Sequence, residues 1–229
     1  MANDNNLLST DGSDVVFRST GFTSTILDSF SSPSTGLSLI CSDGTNPYTV
    51  DFITDKVYKH TGFSASVTDS FSTPSDDPRG ITWDGTNLYS GDNTTDIYYK
   101  HTGFSSTISD TISTEDTDPR SLSWDGTNLY SDSNSSTKIY KHTGFTTTIS
   151  DSLTPSSQAA VTGIDWDGTN LLTTDAGAVD RFIRYNGFSL TIIDSFSSPS
   201  TTPGDIAWGN VEARLGGGGV AFIPRIIIF

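Results

Sequence analysis

Apolar and polar positions alternate in short bursts along this chain, and no apolar stripe of helical period interrupts them. Residues 78–113 show one complete unit. "GITW" (80–83) is a short apolar run, followed by Asp84-Gly85, a dipeptide that favours a tight hairpin because both residues tolerate positive φ. "NLYS" resumes the apolar pattern and "GDNTT" is a polar loop. "DIYYKH" reads as a third strand, "TGFS" as a turn and "STISDTI" as a fourth strand, and "STEDTDP" leads into the next unit. The pattern predicts four short antiparallel strands per unit.

The unit repeats. Gly21-Phe22, Gly62-Phe63, Gly103-Phe104, Gly144-Phe145 and Gly187-Phe188 mark five copies, spaced by 41, 41, 41 and 43 residues. "WDGTNLYS" stands at Trp83 and again at Trp124, with "WDGTNLLT" at Trp166. Such units need neighbours on both faces, and stacking around an axis supplies them. First-strand text ends near Ser42, Trp83, Trp124, Trp166 and Trp208, while "NLLST" near the N-terminus is already second-strand text. The expectation is an all-β, five-bladed β-propeller of four-stranded antiparallel blades over residues 1–208. The N- and C-terminal strands should pair to close its ring. Repeats fall near 1–40, 41–82, 83–123, 124–165 and 166–208. Six blades is the alternative, if residues 208–229 build part of a further blade.

The segment "DPRGITWDGTNLYSGDNTTDIYYKHTGF" resembles an NHL-type propeller blade. Pro78, Gly80, Ile81, Asp84, Gly85 and Asp92 match that family's order. The resemblance covers residues 5–208 at blade level and departs in its Trp before Asp-Gly and its Ser/Thr content. In style the chain is also similar to propeller proteins of marine bacteria and tailed phages, which implies a virion appendage. Lactonase-type propellers, a sister group, hold a divalent cation in the channel with Glu, Asn and Asp. The inner strands here offer only Asp165 and Asp205 as carboxylates.

Charge narrows the function classes. The net charge is −15 with only 12 Lys plus Arg, which disfavours phosphate-backbone binding and anionic membranes. Cys41 is the single cysteine, so no intrachain disulfide forms. "MANDNNLLST" lacks the basic start and apolar core of a signal peptide, and no apolar run is long enough for a membrane span. The expected location is a virion or extracellular surface reached without a signal peptide, with cytoplasm as the alternative.

Recurring residues supply the candidate sites. Trp83, Trp124, Trp166 and Trp208 are candidates for sugar-stacking platforms, against inter-blade packing as the simpler role. Each repeat pairs one base with one acid ten residues on: Arg18/Asp28, Lys59/Asp69, Lys100/Asp110, Lys141/Asp151 and Arg184/Asp194. With the Gly-Phe turn midway, five cross-strand ion pairs are expected, each worth about 0.2–1 kcal/mol. His60, His101 and His142 occupy equivalent positions in three blades, too far apart to share a metal. Asp11, Asp51, Asp92 and Asp175 should cap turns through their side chains. The acidic loops at 75–78 and 115–119 lack calcium-loop spacing, and no Ser-His-Asp order, phosphate loop or cysteine motif is legible. No metal, no cofactor and no catalytic residue is expected.

After Trp208 the composition changes to "GNVEARLGGGGVAFIPRIIIF". This Gly-rich turn and β-prone apolar tail (209–229) is a candidate docking segment, through Val220, Phe222, Ile223, Ile226, Ile227, Ile228 and Phe229. The functional expectation is a non-enzymatic structural or adhesion propeller. It would sit in an oligomeric virion assembly through its tail and meet a glycan or cell-surface receptor through its polar face. An intracellular protein-interaction scaffold is the alternative, and a lactonase-like enzyme the second.

Overall fold

Five antiparallel sheets account for every strand of the computed structural model, which describes residues 5–155, 160–177, 179–209 and 211. The first blade contains β1 (Asn6–Asp11), β2 (Val15–Thr20) and β3 (Ile26–Ser31). The second contains β4 (Leu37–Ser42), β5 (Pro47–Asp51), β6 (Lys56–His60) and β7 (Val67–Ser72). The third contains β8 (Pro78–Trp83), β9 (Leu88–Asp92), β10 (Ile97–His101) and β11 (Ile108–Ser113). The fourth contains β12 (Pro119–Trp124), β13 (Leu129–Ser133), β14 (Lys138–His142) and β15 (Ile149–Leu153). The fifth contains β16 (Val161–Trp166), β17 (Leu171–Asp175), β18 (Arg181–Tyr185) and β19 (Ile192–Ser197). The last strand, β20 (Pro203–Gly209), is hydrogen-bonded to β1 and completes the first blade.

The chain is therefore a five-bladed β-propeller closed by its own ends. The inner strands β20, β4, β8, β12 and β16 neighbour one another in a closed ring. No sixth sheet occurs among the described residues.

Each seam between blades holds one apolar cluster. Between the second and third blades it contains Tyr48, Val50, Val57, Ile81 and Leu88, with Trp83 and Phe104 packed against it. The other four seams repeat this plan. The second strand of every blade is buried along its whole length, because neighbouring sheets cover both its faces. The fourth strands β3, β7, β11, β15 and β19 stand exposed at the rim, each with one unpaired edge. Asp28, Asp69, Asp110, Asp151 and Asp194 sit mid-strand there, where a charge discourages edge-to-edge pairing with another molecule.

The Asp-Gly corner differs from a two-residue hairpin. Of the pair, Gly85 alone takes positive φ (96°), and the backbone closes from Asp84 N to Asn87 O at 3.1 Å. Asp84 Oδ1 accepts the backbone N–H groups of Thr86 and Asn87, while Oδ2 accepts the Tyr89 hydroxyl at 2.7 Å. Asp43 and Asp125 do the same for Tyr48 and Tyr130. Burial opposes ionisation of these aspartates, but the hydrogen bonds from Tyr, Asn and Thr outweigh it and lower their pKa values. The corner is an Asx turn that also ties down the seam tyrosine.

The base–acid register is as expected: Arg18, Lys59, Lys100, Lys141 and Arg184 face Asp28, Asp69, Asp110, Asp151 and Asp194. Five ion pairs do not follow. Only Arg18 closes on its cross-strand partner, at 2.8 Å. Lys59 and Lys141 turn inward to Asp43 and Asp125 at 3.8 Å, and Arg184 pairs with Asp167. Lys59, Lys100 and Lys141 lie 5.3–5.4 Å from the seam tyrosine rings. A cation gains more over an aromatic face beside a half-buried carboxylate than at an exposed rim acid screened by water.

Candidate binding site at the channel mouth

The inner strands surround a channel that the chain closes with its own side chains. Asp205, on β20, is buried and reaches across it: Oδ2 accepts Ile40 N at 3.1 Å, and Oδ1 accepts the Ser121 hydroxyl at 2.9 Å. Asp165, on β16, accepts the Ser123 hydroxyl at 2.7 Å and the backbone N–H of Trp208. Burial pushes the Asp205 carboxyl well above the ordinary range and the Asp165 carboxyl up to about 6. Gly163 leaves room for this crossing, since a Cβ there would lie 2.5 Å from Asp205 Oδ1. Both carboxylates are thus engaged in tying inner strands together.

A pocket of about 270 Å³ opens at the mouth where the inner strands begin. Ser38, Arg79, Arg120, Thr162 and Gly204, the second residues of β4, β8, β12, β16 and β20, all line it. Phe52, Thr202 and Asp11 are also part of its wall. Ring symmetry brings the second positions together, and sequence makes them unequal: long guanidinium arms from two adjacent blades face small residues from the others.

The two arginines are held differently. Arg79 Nε donates to Asp77 Oδ1 at 2.8 Å, and its guanidinium lies 5.2 Å from the centre of the Phe52 ring. Asp77 takes φ of 66° just before Pro78, and Asp118 takes φ of 62° just before Pro119. Arg120 makes no side-chain hydrogen bond or ion pair with the described residues. Asp132 feels its charge, although burial still pushes that carboxyl up to about 8.

The tryptophans lie at the opposite ends of these strands. Trp124 stacks on Tyr89 of the preceding blade at 5.4 Å, Trp166 stacks on Tyr130 at 5.2 Å, and Trp83 meets Tyr48 edge-on at 5.5 Å. Trp208 packs in the seam with Leu7, Phe22 and Leu172, with the Arg184 guanidinium 5.7 Å from its ring. The structure thus brings each ring into a seam, in four separate places. Val220, Phe222, Ile223, Ile226, Ile227, Ile228 and Phe229 lie outside the described residues.

The histidines are buried in the seams rather than placed on the rim. His60 Nδ1 and His101 Nδ1 contact the carbonyls of Ser64 (3.0 Å) and Ser105 (2.8 Å). A carbonyl only accepts, so Nδ1 carries the proton and Nε2 accepts from Thr49 and Ser90. Burial holds both imidazoles neutral, with pKa values lowered to about 4. In the fourth blade His142 meets Ser131 at 2.9 Å, and Glu115 lies 2.6 Å from Ser131 and 3.3 Å from His142. Sequence reasoning found no such serine–histidine–acid cluster. Ser131 and His142 are fully buried, so it offers no open face to a substrate. Among the described residues no group of three His, Cys, Asp or Glu side chains is arranged to hold a metal ion. Asp11, Asp51 and Asp92 each accept two turn N–H groups, as a capping role requires.

The fold has distant relatives. The chain is similar to a propeller in the crystal structure of a mitotic checkpoint complex, at 14% identity and TM-score 0.53, covering 88% of this chain and 66% of that one. In a nidogen/laminin complex the identity is 13% and the TM-score 0.55, covering 90% and 98%. For the glutaminyl cyclase of Myxococcus xanthus the values are 11% and 0.57, covering 79% and 83%. At such identities the likeness is one of fold alone. No family model and no curated protein matches the chain.

The mouth pocket was missed in sequence, yet it had a signal. "DPR" occurs at 77–79 and 118–120, while the equivalent second positions elsewhere are Ser38, Thr162 and Gly204. A departure from the repeat at a position that the ring brings to its axis marks a site better than the repeat itself.

Proposed function

We propose that this chain is a non-enzymatic recognition propeller, a structural part of a larger particle such as a virion, that presents its ring for adhesive contact with surface glycans. The observation that carries this reading is the division of the axis into a plugged channel and an open mouth. The inner carboxylates are spent on backbone N–H and serine partners, so the axis has no free acid–base pair among the described residues. The mouth offers hydroxyls, two guanidiniums and an aromatic ring around a small pocket, the mixture that polar ligands of modest size require. A ring tied across its axis would need little backbone ordering on meeting a weak ligand. Many copies on one particle would then multiply weak contacts.

The test is a glycan array probed with the chain clustered on beads, beside the same beads carrying an unrelated acidic protein. Binding to a defined set of glycans is the expected result. Signal no higher than the control across neutral and acidic glycans would end the adhesion reading and favour a protein-interaction scaffold.

A further inference from the structure

We infer that the channel-mouth pocket binds the carboxylate of an acidic sugar, a single uronic acid residue, with Arg120 taking its charge. The inference deepens the glycan-contact reading and rests on it for the choice of a sugar over other organic acids.

Size comes first. A pocket of about 270 Å³ falls just below the roughly 300–1,000 Å³ of drug-sized sites, which suits one sugar ring. Charge comes second. Arg79 and Arg120 bring two positive charges to the pocket, against Asp11 in its wall and Asp77 on Arg79. Arg79 is already paired, which leaves one guanidinium unpaired among the described residues and makes a dianion such as a phosphate monoester a poor match. A monoanion can be held by the one guanidinium that has no ion-pair partner among the described residues, and that is Arg120. A planar guanidinium meets a carboxylate through two parallel N–H···O bonds.

The remaining wall suits a sugar. Thr162 Oγ1 spends its proton on the carbonyls of Pro203 and Gly204, which leaves its lone pairs as acceptors for ligand hydroxyls. The Ser38 and Thr202 hydroxyls border the same space. Phe52 is 40% exposed, and the part of its ring that the Arg79 guanidinium leaves uncovered offers an apolar surface to the C–H face of a pyranose.

The experiment titrates the intact chain with glucuronate, glucose, acetate and inorganic phosphate, read by ligand-observed NMR and calorimetry. Wild type is compared with Arg120→Gln, Arg79→Gln and the remote control Lys138→Gln, and thermal unfolding confirms that each variant folds. The expected result is saturable glucuronate binding, weakened about tenfold or more by Arg120→Gln, less by Arg79→Gln and not by Lys138→Gln, with glucose much weaker. Equal binding of glucose and glucuronate, indifference to Arg120→Gln, or no binding of glucuronate would overturn the inference. Acetate binding as tightly as glucuronate overturns the sugar, and tighter phosphate binding overturns the monoanion. Failure here with a positive array of neutral glycans would leave the adhesion reading standing. Glucuronate binding with a blank array would do the reverse.

Discussion

Arg18 Nη1 donates to the carbonyl oxygen of Val211 at 2.6 Å, across 193 residues of chain. The Asn6 side-chain amide donates to the same oxygen at 3.3 Å. In the second and fourth blades the equivalent lysine and asparagine converge on a carboxylate, that of Asp43 or Asp125. At the junction of the chain ends no Asp-Gly corner exists, and a backbone carbonyl takes the carboxylate's place. Arg18 also forks onto Asp28 through Nε at 2.9 Å and Nη2 at 2.8 Å, so one guanidinium clasps both ends of the first blade.

That clasp should be measurable. Arg18→Met keeps an apolar stem near the Phe63 ring and removes every one of these bonds. It is expected to lower unfolding stability by about 3 kcal/mol, since bonds to charged groups are lost at a site only 7% exposed. Lys100→Met, at the equivalent place, should cost less than about 1 kcal/mol, because Lys100 forms no ion pair with a described residue. Urea unfolding of both variants checks the contrast, and equal costs would count against the clasp.

A chain ending at residue 202 lacks β20, leaving the first blade with three strands and baring Leu7, Phe22, Leu172 and Phe182. Such a ring has no inner wall between β16 and β4. The expected outcome is loss of cooperative unfolding and of near-ultraviolet circular dichroism. A sharp, near-native thermal transition in that truncation would show that closure matters little.

Gly85→Ala isolates backbone strain. A Cβ at Gly85 would meet nothing within 4 Å, so no clash contributes. Its φ of 96° nevertheless lies where an L side chain crowds its own backbone. A destabilisation of about 1–2 kcal/mol is expected with the fold unchanged. Denaturant midpoints at constant m-value would report it.

Between pH about 4 and 6.5 His60 and His101 push stability up as pH rises, while the buried carboxyls of Asp132, Asp165 and Asp205 push it down. In the folded chain His60 and His101 stay neutral until pH falls to about 4. The unfolded chain protonates its histidines near 6.5, so it binds more protons throughout that window. Asp165 acts in the opposite sense. It holds its proton up to about pH 6 when folded, whereas an unfolded aspartate loses it near 3.9, so its contribution falls as pH rises through that range. Asp165→Asn keeps an acceptor for Trp208 N–H, reverses the hydrogen bond that Ser123 donates, and should shift the slope of stability against pH upward. His101→Gln should shift that slope downward. Urea midpoints at several pH values between 4 and 7 test both signs.

The fold was legible because five copies of one unit repeat their turn chemistry: the Gly-Phe pairs count the blades, and "NLLST" beside the leftover strand at 204–208 tells that the ring closes through β1 and β20. Strand order, register and the facing of Lys100 with Asp110 are local consequences of hairpin geometry, which sequence spacing encodes. Which partner each base chooses was not legible. Lys59 abandons Asp69 for Asp43 because the seam offers a carboxylate and two rings that only the packing of neighbouring blades creates. The same holds for the axis. Asp205 and Ser121 are 84 positions apart, and Arg79 and Arg120 sit in different repeats, yet closing five wedges around a point sets each pair against a common space. Periodicity fixes what each blade is, a property of neighbours in sequence. The mouth pocket arises where blades cease to be identical, and only the closed ring decides which of those differences meet.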